Sequence, residues 1–162
     1  MIKHTIKPVY DSNSKILILG SFPSVKSRDE GFFYGHKSNR FWKVLAGIFN
    51  TEIPCTIEDK KELLLYNKIA LWDVIAYCDI EGSSDSSIRN VVPNDISQIL
   101  NESNIKVIIT NGKKAYELYC KYLEEKTGIK AICLPSTSPA NASWSIEALT
   151  KKWSETICNN KS

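Results

Sequence analysis

Three short stretches of the chain concentrate small polar residues beside aromatic ones: Gly20-Ser-Phe-Pro-Ser24, Tyr34-Gly-His-Lys-Ser-Asn39-Arg-Phe-Trp42 and Pro135-Ser-Thr-Ser-Pro-Ala-Asn141-Ala142. Hydroxyls, carboxamides and aromatic rings offer hydrogen bonding and stacking to a ligand rather than nucleophilic attack. The patterns that would redirect that chemistry are missing. Neither G-x-x-x-x-G-K nor G-x-G-x-x-G occurs, so no P-loop or dinucleotide fingerprint is present. G-x-S-x-G is absent too, and neither His4 nor His36 lies where a triad partner would, which sets serine hydrolysis aside. The five cysteines (Cys55, Cys78, Cys120, Cys133, Cys158) are scattered without a C-x-x-C pair. Reduced, mostly buried thiols are expected, with no metal site, no cofactor and no disulfide framework.

These stretches follow short apolar runs. Ile16-Leu-Ile-Leu19, Ile69-Ala-Leu-Trp72, Val107-Ile-Ile109 and Ala131-Ile-Cys-Leu134 read as strands buried on both faces. Helical patterns separate them. Arg40 to Phe49 puts Phe41, Val44, Leu45 and Ile48 on one face, with Ser38 or Asn39 able to cap its start. Thr56-x-x-Asp59 opens a second helix, Pro93-Asn94 precedes a third, and Lys113 to Lys126 forms a fourth stopped by Gly128. Ser145 caps the last, whose apolar face carries Ile146, Leu149, Trp153 and Ile157. Buried strands alternating with helices predict an α/β fold, a three-layer α/β/α sandwich around a central four-stranded parallel sheet. Ligands of such sheets sit beyond the carboxyl ends of the strands, where Gly20–Ser24, Asp73, Thr110–Gly112 and the 135–142 stretch all fall.

At 162 residues, with 43% hydrophobic and 24% charged residues, the chain is expected to form one domain, residues 1–162, with an ordinary globular composition. No apolar run approaches the ~20 residues of a membrane span, and Met1-Ile-Lys-His4 shows no apolar leader, so a cytoplasmic protein without membrane contact is expected. The net charge of +3 is uneven: residues 1–43 hold eight Lys/Arg against three acids, and 106–162 nine Lys against five. The acidic middle, 74–105, holds one Arg against five acids. Two basic ends brought together would suit a phosphate-bearing partner.

Together the stretches resemble the uracil-DNA glycosylase superfamily. Leu19-Gly-Ser-Phe-Pro-Ser24 is similar to its first signature, His36-Lys-Ser-Asn-Arg-Phe-Trp42 to the segment opening its helix, and Leu134-Pro-Ser-Thr-Ser-Pro-Ala-Asn-Ala142 to its second signature. The order and spacing hold over roughly residues 15–157. The G-S-F-P-S wording is nearest to the hypoxanthine-DNA glycosylase branch, also called DNA-deoxyinosine glycosylases. Phe22 stands where uracil-removing relatives carry Asp or Asn, and Leu134 where they often carry His.

The resemblance implies that Asn39 is the catalytic residue, either orienting water through its C=O and donating through its NH₂ or acting only as a helix cap. It implies a base pocket of Gly20, Ser21, Phe22, Tyr34 and Asp73. Phe22 would stack on a flipped purine, and Tyr34 would close the other side or pack in the core. Asp73 would accept the N1–H of hypoxanthine, a donor adenine lacks, or cap a turn. Ser83, Ser84 and Asp85 read as a solvated loop more than as pocket wall. Contacts to DNA would come from Ser24, His36, Lys37, Arg40, Lys113, Ser136, Ser138, Asn141 and Ala142, with His36 facing phosphate rather than acting as a catalyst.

The expected activity is therefore that of a monofunctional DNA glycosylase. It would act as a monomer on double-stranded DNA containing a deaminated base and hydrolyse the bond between hypoxanthine and deoxyribose. No lysine is marked as a Schiff-base nucleophile. A uracil or G/U(T) mismatch-specific glycosylase, and a catalytically silent DNA-binding module of the same fold, are the alternatives.

Overall fold

The computed structural model describes residues 1–160. Its centre is the expected sheet, made of β2 (Ile16–Gly20), β3 (Ile69–Asp73), β6 (Val107–Asn111) and β7 (Ala131–Leu134), all parallel, in the order β3-β2-β6-β7. Alternation along β2 divides the core. Ile16 and Ile18 face one side with Phe41, Leu45, Leu64, Trp153 and Ile157; Leu17 and Leu19 face the other with Ile99, Ile108, Leu118 and Tyr119. The first side is covered by α2 (Phe41–Ile48), α3 (Ile57–Tyr66) and α7 (Ile146–Asn160), and the second by α4 (Ser97–Asn101) and α5 (Lys113–Tyr122). Apolar runs without polar alternation were the signature of strands buried on both faces, and helices on both faces are the reason for it in β2, β3 and β6; β7, at the sheet edge, instead exposes Ile132 and Cys133, and of the five thiols only Cys78 is buried, against the expectation.

Local signals act where the sequence placed them. Thr56 accepts from Asp59 N at the start of α3, and Ser145 Oγ accepts from Ala148 N at the start of α7. The helix expected over 113–126 instead breaks at Leu123 (φ −121°), and α6 (Glu124–Thr127) ends at Gly128 in the left-handed region. Neither Ser38 nor Asn39 is the formal cap of α2, which is Arg40, although Asn39 Oδ1 accepts from Phe41 N at 2.9 Å.

Two elements were not expected. A short helix, α1 (Val25–Glu30), follows the first motif and is capped by Ser24. A second sheet, antiparallel in the order β1-β4-β5, joins β1 (Ile2–Lys3), β4 (Ile75–Asp79) and β5 (Arg89–Pro93). These strands are short and half exposed, and β5 ends in proline, so they lack the uniform apolar run of the central strands. The second sheet ties the N-terminal segment to β4: His4 N donates to Ala76 O at 2.7 Å, and Val9 bridges to Leu71.

Three tryptophans then pin the loops around the sheet's carboxyl end. Trp153 Nε1 donates to Pro135 O, Trp42 Nε1 to Phe33 O and Trp72 Nε1 to Ile6 O, at 2.9, 3.1 and 2.9 Å. Each indole fills core volume with its rings and spends its one donor on a loop carbonyl.

Candidate active site

Beyond the carboxyl ends of β2, β3, β6 and β7 lies a cavity of about 380 Å³. The first motif, the loop from Phe33 to Asn39, Asp73, Asn111 and the loop of Ser136 to Ala140 converge on it. A larger cleft of about 600 Å³ near the start of β3 contains none of the motif residues.

Asn39 sits at the centre of a hydrogen-bond chain. Its Oδ1 accepts from Phe41 N at 2.9 Å and from the Thr137 hydroxyl at 2.8 Å. Thr137, fully buried, is itself held by Asn111: the Asn111 Nδ2 donates to Thr137 Oγ1 and its Oδ1 accepts from Thr137 N, both at 3.0 Å. A carbonyl oxygen has two lone pairs, and both are engaged here. The oxygen of Asn39 thus anchors the helix start, its NH₂ donates no hydrogen bond to the described residues, and the residue lines the cavity.

Asp73 is buried, and its Oδ2 lies 2.8 Å from His4 Nε2. Its carboxylate thus pairs with a side chain instead of capping the following turn; that turn is clamped by Asn94, whose Nδ2 donates to the carbonyls of Asp73 and Ile75. His4 packs edge-on against Phe22 and Trp72 at 5.9 and 6.1 Å. Phe22 in turn lies under the Arg28 guanidinium, 5.6 Å from its carbon. A ring so braced can offer a rigid stacking face to a base.

Gly20 leaves the room that Asp73 and Tyr34 need. A Cβ there would stand 2.4 Å from Asp73 Oδ1 and 2.9 Å from Tyr34 Oη. Gly20→Ala is therefore expected to push both groups aside and to lower turnover on the order of tenfold, as misplacement of reacting groups by less than 1 Å does. Overpacking should also lower the melting temperature, so single-turnover rates measured where the variant is still folded would establish it.

Residues 81–87 form the solvated loop expected, and Ser83 and Asp85, though exposed, also line the cavity. Ser21 Oγ donates to Asp85 Oδ1 at 3.0 Å, and Ser83 Oγ accepts from Val25 N. Arg28 anchors the loop through Gly82 O. Withdrawal from water raises the Asp85 pKa, against the bond from Ser21.

The residues expected to contact DNA divide into two groups. Ser136, Ser138 and His36 line the cavity. Ser136 Oγ accepts from Ser138 N and Ser138 Oγ from Ala140 N, while Asn141 Nδ2 holds Ser136 O, so this loop is folded by its own side chains. His36 Nδ1 accepts from Ser38 N and the ring is exposed. Lys37, Lys113 and Ala142 are exposed outside the cavity lining. Ser24 lines the cavity, but its hydroxyl is engaged at the start of α1 with Ser27.

Arg40 departs furthest from its expected role. Its guanidinium donates to the carbonyls of Thr137, Ser138, Asn141 and Trp144, and its backbone N to Thr137 O. The cation is spent on gathering the second motif loop rather than turned toward phosphate. Arg40→Gln is expected to cost about 2 kcal/mol of stability, the scale of a charged hydrogen bond lost from buried carbonyls. The salt dependence of DNA binding should stay unchanged, whereas loss of a phosphate contact would lower that slope by about 1.

His4, Asn111 and Thr137 went unrecognised as site residues. Thr137 lay inside the second motif and Asn111 in the 110–112 segment beyond a predicted strand. His4 had no local signal, since its partner is 69 residues away.

Residues 7–161 match the family described as the Uracil DNA glycosylase superfamily. A protein of Methanosarcina barkeri named hypoxanthine DNA glycosylase is 35% identical over 159 residues, 96% of this chain and 98% of that protein. A Methanosarcina acetivorans protein of the same name is 36% identical over 147 residues, 90% and 92% of the two chains. The solution NMR structure of a candidate uracil DNA glycosylase from Methanosarcina acetivorans superimposes with a TM-score of 0.84 at 34% identity, covering all of both chains.

Proposed function

The chain belongs to the uracil DNA glycosylase superfamily, and from that premise we propose that it is a monofunctional DNA-deoxyinosine glycosylase acting as a monomer on duplex DNA. The deaminated nucleotide leaves the base stack and enters the cavity between Phe22 and the Asn39 loop. The C1′–N9 bond of the deoxyribose breaks with its electron pair going to the base, water adds to C1′ and gives up one proton, and the departed base takes up one, so that neutral hypoxanthine and a C1′ hydroxyl are the products. An abasic site remains.

The observation that carries this reading is the state of Asn39, with its oxygen locked by Phe41 and Thr137 and its NH₂ at the cavity. In a bond cleavage that builds negative charge on the departing base, a fixed neutral donor stabilises the transition state more than the ground state. Such a mechanism needs neither the carboxylate or carboxamide absent at Phe22 nor the imidazole absent at Leu134. The names of the two Methanosarcina relatives point to the same base. The basic surface residues Lys37 and Lys113 supply sequence-independent attraction to the phosphates.

The test is a set of duplexes bearing one deoxyinosine, deoxyuridine, deoxyxanthosine or deoxyadenosine, read as strand breaks after alkali. The expected result is fastest cleavage at deoxyinosine and none at deoxyadenosine. Cleavage at deoxyuridine alone would make the enzyme a uracil glycosylase. Retained binding without cleavage of any would leave a silent DNA-binding module.

A further inference from the structure

Tyr34 carries an unused group. Its Oη is buried and has no hydrogen-bond partner among the described residues, whereas buried phenols ordinarily find one. The ring stacks on Phe41 with centroids 4.2 Å apart and planes 25° off parallel, which holds the hydroxyl in place. Its backbone is in the left-handed region, φ 54°, a conformation that a bulky residue keeps only where its surroundings impose it. Burial, and then the neighbouring Asp73 charge, push the phenol far above its usual pKa, with the Asn111 carboxamide opposing in part from outside hydrogen-bonding geometry. The group is an O–H donor at any working pH.

A second unused atom lies next to it. Asp73 spends Oδ2 on His4 and its backbone oxygen on Asn94, while Oδ1 takes no hydrogen bond from the described residues. Tyr34 Oη and Asp73 Oδ1 both front the space that a side chain on Gly20 would fill, and all three residues line the cavity. The pocket therefore presents one donor beside one acceptor.

We propose that Tyr34 Oη is the donor that completes the contact the resemblance assigns to Asp73, so that the two together, as a paired reader, select flipped bases presenting a ring N–H next to a carbonyl, with His4 as the positioning residue of the carboxylate. The inference rests on the glycosylase reading and specifies what that site recognises. Hypoxanthine offers N1–H to Asp73 and O6 to Tyr34; uracil offers N3–H and O4 in the same arrangement. Adenine and cytosine present the reverse, a ring nitrogen acceptor beside an amino donor, so each contact would face a like group. Deamination is the reaction that turns one arrangement into the other, so the pair detects deamination itself. Guanine and thymine share the accepted edge, and their rejection falls to the shape of the cavity.

The test measures binding apart from excision. Duplexes carrying 2′-fluoro-deoxyinosine or 2′-fluoro-deoxyadenosine, whose fluorine slows bond cleavage, are titrated with the wild-type protein and with Tyr34→Phe. This change removes one oxygen and keeps the stacked ring. The wild type is expected to prefer the inosine duplex, and the variant to lose that preference by ~10-fold or more. Its melting temperature should be unchanged or higher, since an unpaired buried hydroxyl is removed. A preference within twofold of the wild type would overturn the proposal. A substrate-side deletion needs no variant: a duplex with the 2′-fluoro analogue of deoxynebularine, which lacks both N1–H and O6, should bind the wild type at least ~10-fold more weakly than the inosine duplex, and equal binding would overturn the pair. If deoxyinosine DNA released no base, the glycosylase reading would fail, while these binding ratios would still decide the reader.

Discussion

Asn39→Asp is expected to lower excision by ~10²-fold or more while leaving the fold standing, the loss that follows removal of one transition-state donor. The substitution separates the two ends of the side chain. A carboxylate still accepts from Phe41 N and from the Thr137 hydroxyl, the two bonds that hold Asn39 Oδ1. At the start of α2 its charge is favoured by the helix dipole, so the melting temperature should hold or rise. What disappears is the NH₂, replaced by an oxygen whose charge repels the departing base. Asn39→Ala should lose similar activity and also about 1 kcal/mol of stability, as loss of a helix-start acceptor does. A single-turnover rate and a melting curve for each variant give four numbers. An active Asn39→Asp would show that the oxygen, not the NH₂, serves the reaction.

Asp73→Asn is the second large effect. The carboxylate offers only acceptors to the base, whereas an amide can present its NH₂ to an adenine ring nitrogen. The ratio of hypoxanthine to adenine excision is expected to fall by ~10²-fold, the scale of discrimination carried by a well-placed pair of hydrogen bonds. Binding to a duplex with an abasic analogue should be little altered. His4 provides the control, because it touches Asp73 and the rings of Phe22, Phe33 and Trp72. His4→Phe keeps the packing and removes the bond, so kcat for deoxyinosine should fall and stability drop by about 1–3 kcal/mol. His4→Gln can still donate and should restore part of kcat. Equal kcat in both His4 variants would reduce His4 to packing.

Much of the scaffold was legible because it obeys simple periodicities. Apolar runs of three or four residues marked the four central strands, and the small polar segments after them marked the cavity. The antiparallel sheet was hidden because two-residue β1 and half-exposed β5 carry no such signal. Its consequence is chemical, for it is β1 pairing with β4 that carries His4 to Asp73. Arg40 was misread for a different reason. Within the motif it has the composition of a phosphate contact, and only the path of the 135–144 loop around its guanidinium shows four carbonyls using it. Asp85 lay in a serine-rich stretch that reads as solvent loop, and Ser21 and Arg28 also fold it over the cavity. In each case the deciding partner is more than 50 residues away, beyond any local pattern.

Release of the free base is the measurement closest to the central claim. A duplex with one deoxyinosine, incubated with excess wild-type protein and analysed by chromatography before any alkali, should yield one hypoxanthine per strand. The strand should stay unbroken until alkali is added. Strand scission without released hypoxanthine, or no released base at all, would contradict hydrolysis of the glycosidic bond by this pocket.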